Sequence, residues 1–427
     1  MTHIDEQLDL NNAALWKETE HDFTKSEDIK RRSLTFYQDV WRRFRENKTA
    51  IFSLVFIVLL TATALFLPYF WRYTYSDQNL EYSNVPCRLE LYEIDGTGAS
   101  FYITNDYNVL QVARDGTLGK MAENTGDNLM TRQKNFVLDG KDIKVDYSQY
   151  FAAKKKLYSL RRAAERGEKV DLPAEEHKFE NMKRYIVTVD GKEVQPSLRV
   201  WNKSHIFGND ALGRDIFIRI VYGARISLAV GFATALVCFI IGVLFGGVSG
   251  YCGGKVDDAM MRVVDIINTI PTLLYVILLR VLFDSGGLFT IILTIGLTYW
   301  VSMARLVRGE VLSLKKQEFV LAAKSLGAPT RYILLCHLLP NIMGPIMVTI
   351  TMMIPNAIFT EAFLSFVGLG VSAPIASWGT LCNDALEGLY TYPQQLLFPA
   401  AAISLTILTF NLLGDGLRDA LDPKLRK

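Results

Sequence analysis

The residues of this chain best suited to chemistry are the charged side chains placed inside apolar stretches. Asp265 and Glu361 each stand among apolar neighbours in a long hydrophobic run. An ionisable group in lipid is costly, pairs with another polar group, and often marks an ion or proton pathway. Arg262 is the predicted partner of Asp265, and we expect Glu361 to face the bundle interior or the outer water boundary. Structural pairing and a gating role both fit this pattern.

A second charged group lies in a glycine-rich stretch that precedes a long apolar run. It contains Asp210, Gly213, Arg214 and Asp215, with His205 upstream. Arg214 and Asp215 are predicted to form a local ion pair that contributes little stability, and His205 to be a structural hydrogen-bonding residue. These residues match neither a nucleophile activated by a histidine nor a metal-ligand set, so we treat them as structural or gating candidates rather than catalytic ones.

Several chemistries have no motif in this sequence. There is no G-x-x-x-x-G-K-[ST] phosphate-binding loop and no H-E-x-x-H zinc motif. The five cysteines lack metal-ligand spacing, although Cys87 and Cys382 are candidates for a disulfide. The net charge of +2 gives no strong attraction to nucleic acid. We therefore expect a non-enzymatic chain that binds no cofactor itself and draws any energy for transport from a partner or an ion gradient.

The elements that position these residues are predicted to be membrane helices. Half of the residues are hydrophobic, yet the mean hydropathy is only +0.17, which indicates membrane spans together with a polar domain. A span needs about 20 mostly apolar residues. The predicted spans are Ala50–Phe70, Ile226–Tyr251, Val263–Phe283, Leu288–Leu306, Asn341–Phe366 and Leu396–Leu413. The third and fourth are joined by the short turn Asp284–Gly287 and are predicted to form a helical hairpin.

The distribution of basic residues orients the predicted bundle. Lys and Arg cluster before the first span, around residues 309–340 and after the last span, whereas Val367–Gln395 contains neither. The positive-inside rule then places both termini and residues 309–340 in the cytoplasm. Ser33–Asn47 mixes aromatic and basic residues, which predicts an amphipathic interfacial helix, with a simple basic flank as the alternative.

The polar stretch from Tyr73 to Asn202 is predicted to fold as a small α+β domain outside the membrane. Asp-Gly pairs in Leu138–Lys141 and Val189–Lys192 stand between strand-like runs, which is a hairpin signal. Tyr150–Arg166 is predicted to be a helix that ends at Gly167. Its charges fit a solvated surface, a contact surface for a substrate-binding protein, or a partial lid.

The segment from Glu318 to Pro340 predicts a short helix–turn–helix at the membrane surface. Apolar residues recur at helical spacing from Phe319 to Leu326, and Ala322 and Ala323 would let another protein approach closely. Gly327 suits a left-handed helix end, and Pro329 suits the start of the next helix.

This segment resembles the EAA loop of permease subunits from bacterial binding-protein-dependent ABC importers. The matching positions are Ala322, Ala323, Gly327, His337 and Pro340. The resemblance implies a cytoplasmic coupling helix that docks into a cleft of an ATPase subunit. The family often has Glu just before the two alanines. This chain has Leu321 there, and Glu318 could only partly replace that charge.

Further motifs resemble the oligopeptide/dipeptide "C" class of these permeases. They are His205–Asp215, Tyr222–Leu228, the Gly-rich stretch from Gly246 to Asp265, Glu361–Gly370 with Ser377–Gly379, and Phe410–Pro423. The resemblance covers the first span and Ser204–Pro423, but not most of the polar domain.

The resemblance implies an all-α polytopic protein with six transmembrane helices in the type I ABC importer permease fold, carrying an inserted α+β domain. It implies peptide import across the bacterial plasma membrane with a second permease subunit, two ATPase subunits that bind ATP and Mg, and an outer solute-binding protein. The expected units are a cytoplasmic segment 1–49, helix 50–70, an extracytoplasmic domain 71–203, a permease core 204–414 with the coupling loop 309–340, and a tail 415–427. An ion-coupled secondary transporter or channel is the alternative, and a membrane-anchored sensor is a third reading that leaves the coupling loop unexplained.

Overall fold

The computed structural model describes residues 35–94, 96, 98–168, 170–283, 287–372 and 374–421. Most of the predicted segment 1–49, most of the predicted turn Asp284–Gly287 and the end of the predicted tail 415–427 lie outside the described residues. The helices are α1 (Phe36–Glu46), α2 (Lys48–Phe70), α3 (Ser148–Glu165), α4 (Leu172–Glu180), α5 (Ile216–Cys252), α6 (Gly254–Thr269), α7 (Thr272–Leu282), α8 (Leu288–Leu314), α9 (Glu318–Ser325), α10 (Thr330–Phe366), α11 (Trp378–Asp384) and α12 (Pro393–Leu421).

The chain is a multi-pass helical membrane protein. Within the described residues, α2, α5, α8, α10 and α12 are long and apolar enough to cross a membrane, and α6 with α7 adds a sixth candidate if the pair counts as one span. Inside lipid, a helix satisfies its own backbone hydrogen bonds, which is why these apolar runs fold this way. The predicted spans fall on these elements, but several helices extend well beyond the apolar run, as α5 does.

The predicted third span, Val263–Phe283, is wrong as a continuous helix. The chain bends by 85° between α6 and α7. Pro271 has no backbone N–H to donate, and it forces Ile270 out of the helical region, to φ −83° and ψ 124°. Hydropathy is insensitive to this break because both halves are apolar.

Close contact between α5 and α8 forms the centre of the bundle. A Cβ added at Gly246 would lie 2.3 Å from the backbone oxygen of Ala304, so only glycine permits this approach. Val307 and Val311 of α8 are fully buried on the same side. In lipid, where packing rather than hydrophobicity drives helix association, small residues allow such crossings.

Helix α1 confirms the helix predicted within Ser33–Asn47, although it does more than lie at an interface. Its N-terminus is capped by Thr35 and Gln38 in a reciprocal capping box. Buried Phe44 packs against Ala420 near the end of α12, so this helix is attached to the bundle through the last helix. Trp41 stacks on Phe44, with 5.8 Å between the ring centroids, and is half-exposed.

The polar stretch folds as an inserted domain of two five-stranded sheets and the helices α3 and α4. The strands are β1 (Arg88–Glu93), β2 (Ser100–Ile103), β3 (Val109–Val112), β4 (Leu118–Met121), β5 (Glu123–Asn128), β6 (Gln133–Leu138), β7 (Lys141–Asp146), β8 (Ile186–Val189), β9 (Lys192–Val194) and β10 (Leu198–Trp201). Their orders are β10-β1-β2-β3-β4 and β5-β6-β7-β8-β9, and every described pairing is antiparallel.

Both predicted Asp-Gly hairpins are confirmed. Asp139 and Gly140 have φ of 50° and 76°, and Asp190 and Gly191 have φ of 49° and 81°. Two consecutive left-handed residues define the type I′ turn, whose twist matches that of the strands it joins. The predicted helix Tyr150–Arg166 corresponds to α3, and the first sheet was not predicted.

The inserted domain is fixed to the helical bundle by hydrogen bonds at its base. Asn209 N–H donates to the Val85 carbonyl at 2.8 Å, and Asn84 N–H donates to the Asp210 carbonyl at 2.9 Å. The side chain of Gln395, at the start of α12, donates to Asn84 Oδ1 at 2.9 Å. Cys87 and Cys382 are both free thiols, so the candidate disulfide does not form.

Candidate functional site

Helix α9 presents two faces with different roles. Val320 is fully buried against a cluster that includes Val311 and Ile333. On the other face, Phe319 is 41% exposed and Leu326 is 88% exposed. Such a helix is held by one side and offers an apolar strip on the other, which is unusual for a surface segment with no partner. Glu318 is exposed in the first turn, where its charge suits the helix dipole.

The turn after α9 has the geometry that the sequence predicts. Gly327 has a φ of +78°. Its N–H donates to the Lys324 carbonyl at 2.9 Å, and the Ala328 N–H donates to the Ala323 carbonyl at 3.1 Å. These two bonds form a Schellman motif, which satisfies carbonyls at the helix end. Pro329 lies immediately before α10 rather than inside its first turn.

The other predicted coupling residues lie close to this turn. Leu321 and Ala322 are exposed on α9, and Pro340 is exposed on α10. His337 is half-buried in a π-helical turn of α10, with its ring edge-on to Tyr332 at 5.3 Å between centroids. The segment therefore combines a short helix, a tight turn and an irregular first part of α10, rather than two equal helices.

Helix α9 and the end of α8 are linked to the end of α5. The ammonium of Lys324 lies 5.1 Å from the centre of the Tyr251 ring, a cation–π contact. Lys315, just after α8, donates to the carbonyls of Gly250 at 2.9 Å and Tyr251 at 3.3 Å. A displacement of α9 would therefore be transmitted to the C-terminal end of α5.

One ion pair joins α6 to α8. Arg308 donates through Nε and Nη2 to Asp257 at 2.5 and 2.6 Å, and Ser249 Oγ donates to the same carboxylate at 2.5 Å. Asp257 is buried. Sequence reasoning did not assign this role to Arg308, which counted only toward orientation. The available signal was Asp257 directly after the Gly-rich stretch.

At the end of the bundle that carries the inserted domain, a cavity of about 510 Å³ opens, which we call the mouth cavity. Asp210 accepts hydrogen bonds from Arg214 Nε at 2.7 Å and from Arg219. Asp384 lies 3.6 Å from Arg214 and 3.3 Å from Arg219. Two carboxylates and two guanidinium groups thus alternate in its wall. Arg219 and Asp384 were not predicted.

The predicted Arg214–Asp215 ion pair is wrong. Asp215 instead caps α5 by accepting from the Ile218 N–H at 2.8 Å, and its other oxygen lies 2.8 Å from His205 Nδ1. Helix capping turns the Asp215 carboxylate away from its neighbour and toward the helix start. Gly213 packs so closely on Asn79 that an added Cβ would lie 1.7 Å from that carbonyl oxygen.

The two acidic residues in apolar runs have different surroundings. Glu361 is fully buried and accepts from Ser227 Oγ at 2.8 Å and Ser365 Oγ at 2.7 Å, so it faces the bundle interior and joins α10 to α5. Asp265 is exposed and pairs with Arg305 at 3.0 Å. The predicted partner Arg262 is therefore wrong, because α8 brings Arg305 closer than the local helix geometry does.

Comparisons with known proteins agree with these features. The family described as "Binding-protein-dependent transport system inner membrane component" matches residues 242–427, and "N-terminal TM domain of oligopeptide transport permease C" matches residues 35–86. The chain is 56% identical to an oligopeptide transport system permease protein of Bacillus subtilis, over 53% of this chain and 74% of that protein.

A dipeptide transport system permease protein of Bacillus subtilis is 55% identical, over 52% of this chain and 70% of that protein. A chain in a solved structure of a methionine ABC transporter in inward-facing conformations overlaps 48% of this chain and 96% of its own length. That overlap has 18% identity and a TM-score of 0.39.

Proposed function

Because this chain belongs to the family of binding-protein-dependent transport system inner membrane components, we propose that it is the permease subunit of an ATP-driven importer of short peptides. The high identity to oligopeptide and dipeptide permeases supports the substrate class. A component of a binding-protein-dependent system works with a binding protein and an ATPase. The finer assembly would contain a second, related permease subunit and two ATPase subunits that hold ATP and Mg.

The observation that carries this proposal is the two-faced helix α9. Its exposed strip, with Phe319, Ala322 and Leu326, is apolar and spaced at i, i+3 and i+7, which fits a helix docked in a groove of a partner. Its buried face rests on the bundle through Val320. Movement of an ATPase bound to the strip would therefore be transmitted to α5 and α8 as a rigid-body displacement.

The proposed orientation places α9 and both termini in the cytoplasm and the inserted domain outside. The bundle would take the type I importer arrangement, with the bent pair α6–α7 as its sixth membrane element. Natural cysteines allow a test, because Cys336 is exposed beside α9 and Cys87 is partly exposed in the inserted domain. A membrane-impermeant maleimide applied to intact cells should label Cys87 and spare Cys336. The reverse pattern would contradict this orientation.

The decisive experiment is reconstitution of the complex recovered with the tagged chain from native membranes. We expect a P-loop ATPase and a second multi-span subunit to co-purify, and ATP-dependent uptake of radiolabelled tri-alanine into liposomes. Recovery of the chain alone or as a homo-oligomer, with uptake that follows an ion gradient, would favour a secondary transporter instead.

A further inference from the structure

A second cavity, of about 380 Å³, lies between the inserted domain and the start of α12. We call it the tyrosine cavity because five tyrosines line it: Tyr102, Tyr107, Tyr150, Tyr185 and Tyr392. The inserted domain also contributes Asn105, Lys154 and Arg184. Its volume falls within the range typical of small-ligand pockets, about 300–1,000 Å³.

One polar group of this cavity has no hydrogen-bond partner among the described residues. Tyr392 is only 9% exposed, and its buried hydroxyl makes no hydrogen bond to any described residue. Buried polar groups are normally satisfied, so this hydroxyl is free to donate to a water or to a bound ligand atom. Burial raises the pKa of Tyr392 to about 12, although the nearby charge of Arg184 opposes the shift and that of Asp106 adds to it. The hydroxyl therefore stays protonated and can donate.

The two cations of the cavity wall are also not neutralised. Among the described residues, no carboxylate lies within ion-pair distance of Arg184 or Lys154, and Arg184 Nη1 donates a long hydrogen bond to Asn105 Oδ1 at 3.5 Å. Several other basic residues of this domain do have acidic partners, as Arg161 does with Glu176 at 2.8 Å. Unpaired Arg and Lys beside an O–H donor form a suitable site for a carboxylate.

The location of the tyrosine cavity relates it to the mouth cavity. Gln394 lines the tyrosine cavity, and the next residue, Gln395, lines the mouth cavity. Gln395 also donates to Asn84 in the base of the inserted domain and to the carbonyl of Asn209 beside Asp210. A molecule held in the tyrosine cavity would therefore lie next to the entrance that the charged network of the bundle surrounds.

We propose that the tyrosine cavity binds a short peptide by its C-terminal carboxylate, with Arg184 and Lys154 facing the carboxylate and the Tyr392 hydroxyl donating to it. The aromatic walls suit side chains of differing sequence, because tyrosine rings offer broad apolar faces with polar edges. This inference rests on the proposed import of peptides, and it gives the inserted domain the role of a holding site before translocation.

The test is equilibrium dialysis of the full chain in lipid nanodiscs with radiolabelled tri-alanine and with its C-terminal amide. We expect tri-alanine to bind and the amide to bind about tenfold more weakly, as the loss of a hydrogen bond to a charged group implies. Arg184→Gln should weaken tri-alanine binding by about tenfold and abolish the preference over the amide. Tyr392→Phe should weaken it by about threefold to tenfold without lowering the melting temperature, because the hydroxyl has no protein partner.

The matched control is Arg161→Gln, a neutralised arginine of the same domain that does not line this cavity. It should bind tri-alanine as the unaltered chain does. No binding at millimolar tri-alanine, equal binding of acid and amide, or unchanged binding by Arg184→Gln would overturn the proposal.

Uptake by the assembled transporter separates this inference from the proposed function. If the Arg184→Gln transporter takes up peptide as the unaltered one does while its cavity binds no peptide, the holding site is rejected and the importer function stands. Binding of tri-alanine without any ATP-driven uptake keeps the site and rejects the importer. Loss of binding-protein docking in Arg184→Gln, with tri-alanine binding unchanged, would reject the site and assign the surface to the binding protein.

Discussion

Arg308 binds both carboxylate oxygens of Asp257, at 2.5 Å through Nε and 2.6 Å through Nη2, and this fork joins α8 to α6. In Asp257→Asn, the buried side chain keeps only one of its two acceptor oxygens. The guanidinium of Arg308 then has no counter-charge at this site. We expect a loss of roughly 1–3 kcal/mol in the free energy of unfolding, together with reduced peptide-stimulated ATP hydrolysis. Unfolding in SDS and a hydrolysis assay measure the two effects.

The control for this prediction is Asp265→Asn on the same helix. Asp265 and Arg305 also form an ion pair, at 3.0 Å, but their side chains are 53% and 46% exposed. An exposed pair contributes at most about 1 kcal/mol, so this variant should unfold and couple almost as the unaltered chain does. Equal losses in both variants would show that the buried fork has no special role.

The turn at Gly327 predicts uncoupling. Gly327→Val places a β-branched residue at φ +78°, where left-handed backbone costs about 1–2 kcal/mol even without a clash. We expect insertion into the membrane to persist, and peptide uptake per ATP hydrolysed to fall severalfold because α9 loses its fixed direction. Gly309→Val is the control, since Gly309 lies inside α8 with nothing within 4 Å of an added Cβ. Normal coupling in Gly327→Val would contradict a docking role for α9.

The two faces of α9 predict opposite phenotypes. Val320→Ala removes fully buried methyl groups and should lower stability by about 1–3 kcal/mol. Leu326→Ser changes a residue that is 88% exposed, so stability should stay within about 0.5 kcal/mol. The same Leu326→Ser variant should co-purify with less ATPase, which quantitative mass spectrometry measures. If Leu326→Ser co-purifies with as much ATPase as the unaltered chain, the apolar strip of α9 is not the ATPase contact.

The stability of the inserted domain is expected to depend on pH through the Asp146 carboxyl. Burial acts to raise the pKa of this carboxyl, but hydrogen bonds from Ser148 and Gln133, the latter at 2.6 Å, outweigh it and hold the pKa below its usual range. Since the unfolded domain then binds the proton more readily, the stabilisation is present above the unfolded pKa and is lost as pH falls through the folded one. The protection factors of the amides in β6 and β7 against hydrogen exchange should fall below about pH 4.

Asp146→Asn supplies the control for that pH dependence. The amide cannot titrate, so the exchange rates of β6 and β7 in this variant should follow the intrinsic pH dependence alone. An unaltered fall in protection below pH 4 in Asp146→Asn would assign the effect to other carboxyl groups of the domain.

The features that sequence reasoning found are local ones. The Asp139–Gly140 turn and the left-handed Gly327 are fixed by conformational preferences within a few residues. Membrane helices follow from runs of apolar residues. The bend at Pro271 was missed because a hydropathy window averages over both halves of a broken span. Strand β5, Glu123–Asn128, carries no apolar alternation to reveal it.

The ion pairs between different helices could not be predicted because their members are distant in sequence. Arg219 lies opposite Asp384 only after α5 and α11 have packed. Local spacing suggested pairs of neighbours instead, and the structure replaces Arg214–Asp215 with Arg214–Asp210, since Asp215 caps a helix. A charged residue three or four positions away is only one candidate partner, because tertiary packing can bring a more distant residue closer.

The mouth cavity supplies the last prediction, because its two carboxylates differ in burial while sharing the same arginines. The side chain of Asp210 is 10% exposed and that of Asp384 is 46% exposed. Asp210 also accepts the backbone N–H groups of Leu212 and Arg214, both at 2.9 Å, so it holds the loop before α5 as well as the guanidinium of Arg219.

Asp210→Asn should therefore cost about 3–5 kcal/mol of stability, as removing one partner of a buried ion pair does, and Asp384→Asn less than about 1 kcal/mol. The KM for peptide uptake distinguishes a structural role of these carboxylates from a role in gating. If Asp384 steers substrate at the entrance, Asp384→Asn should change the KM for tri-alanine by severalfold at nearly unchanged stability, and high salt should reduce the difference because exposed charges are screened. A KM equal to that of the unaltered chain at low salt would confine the network to holding α5 and α11 in place.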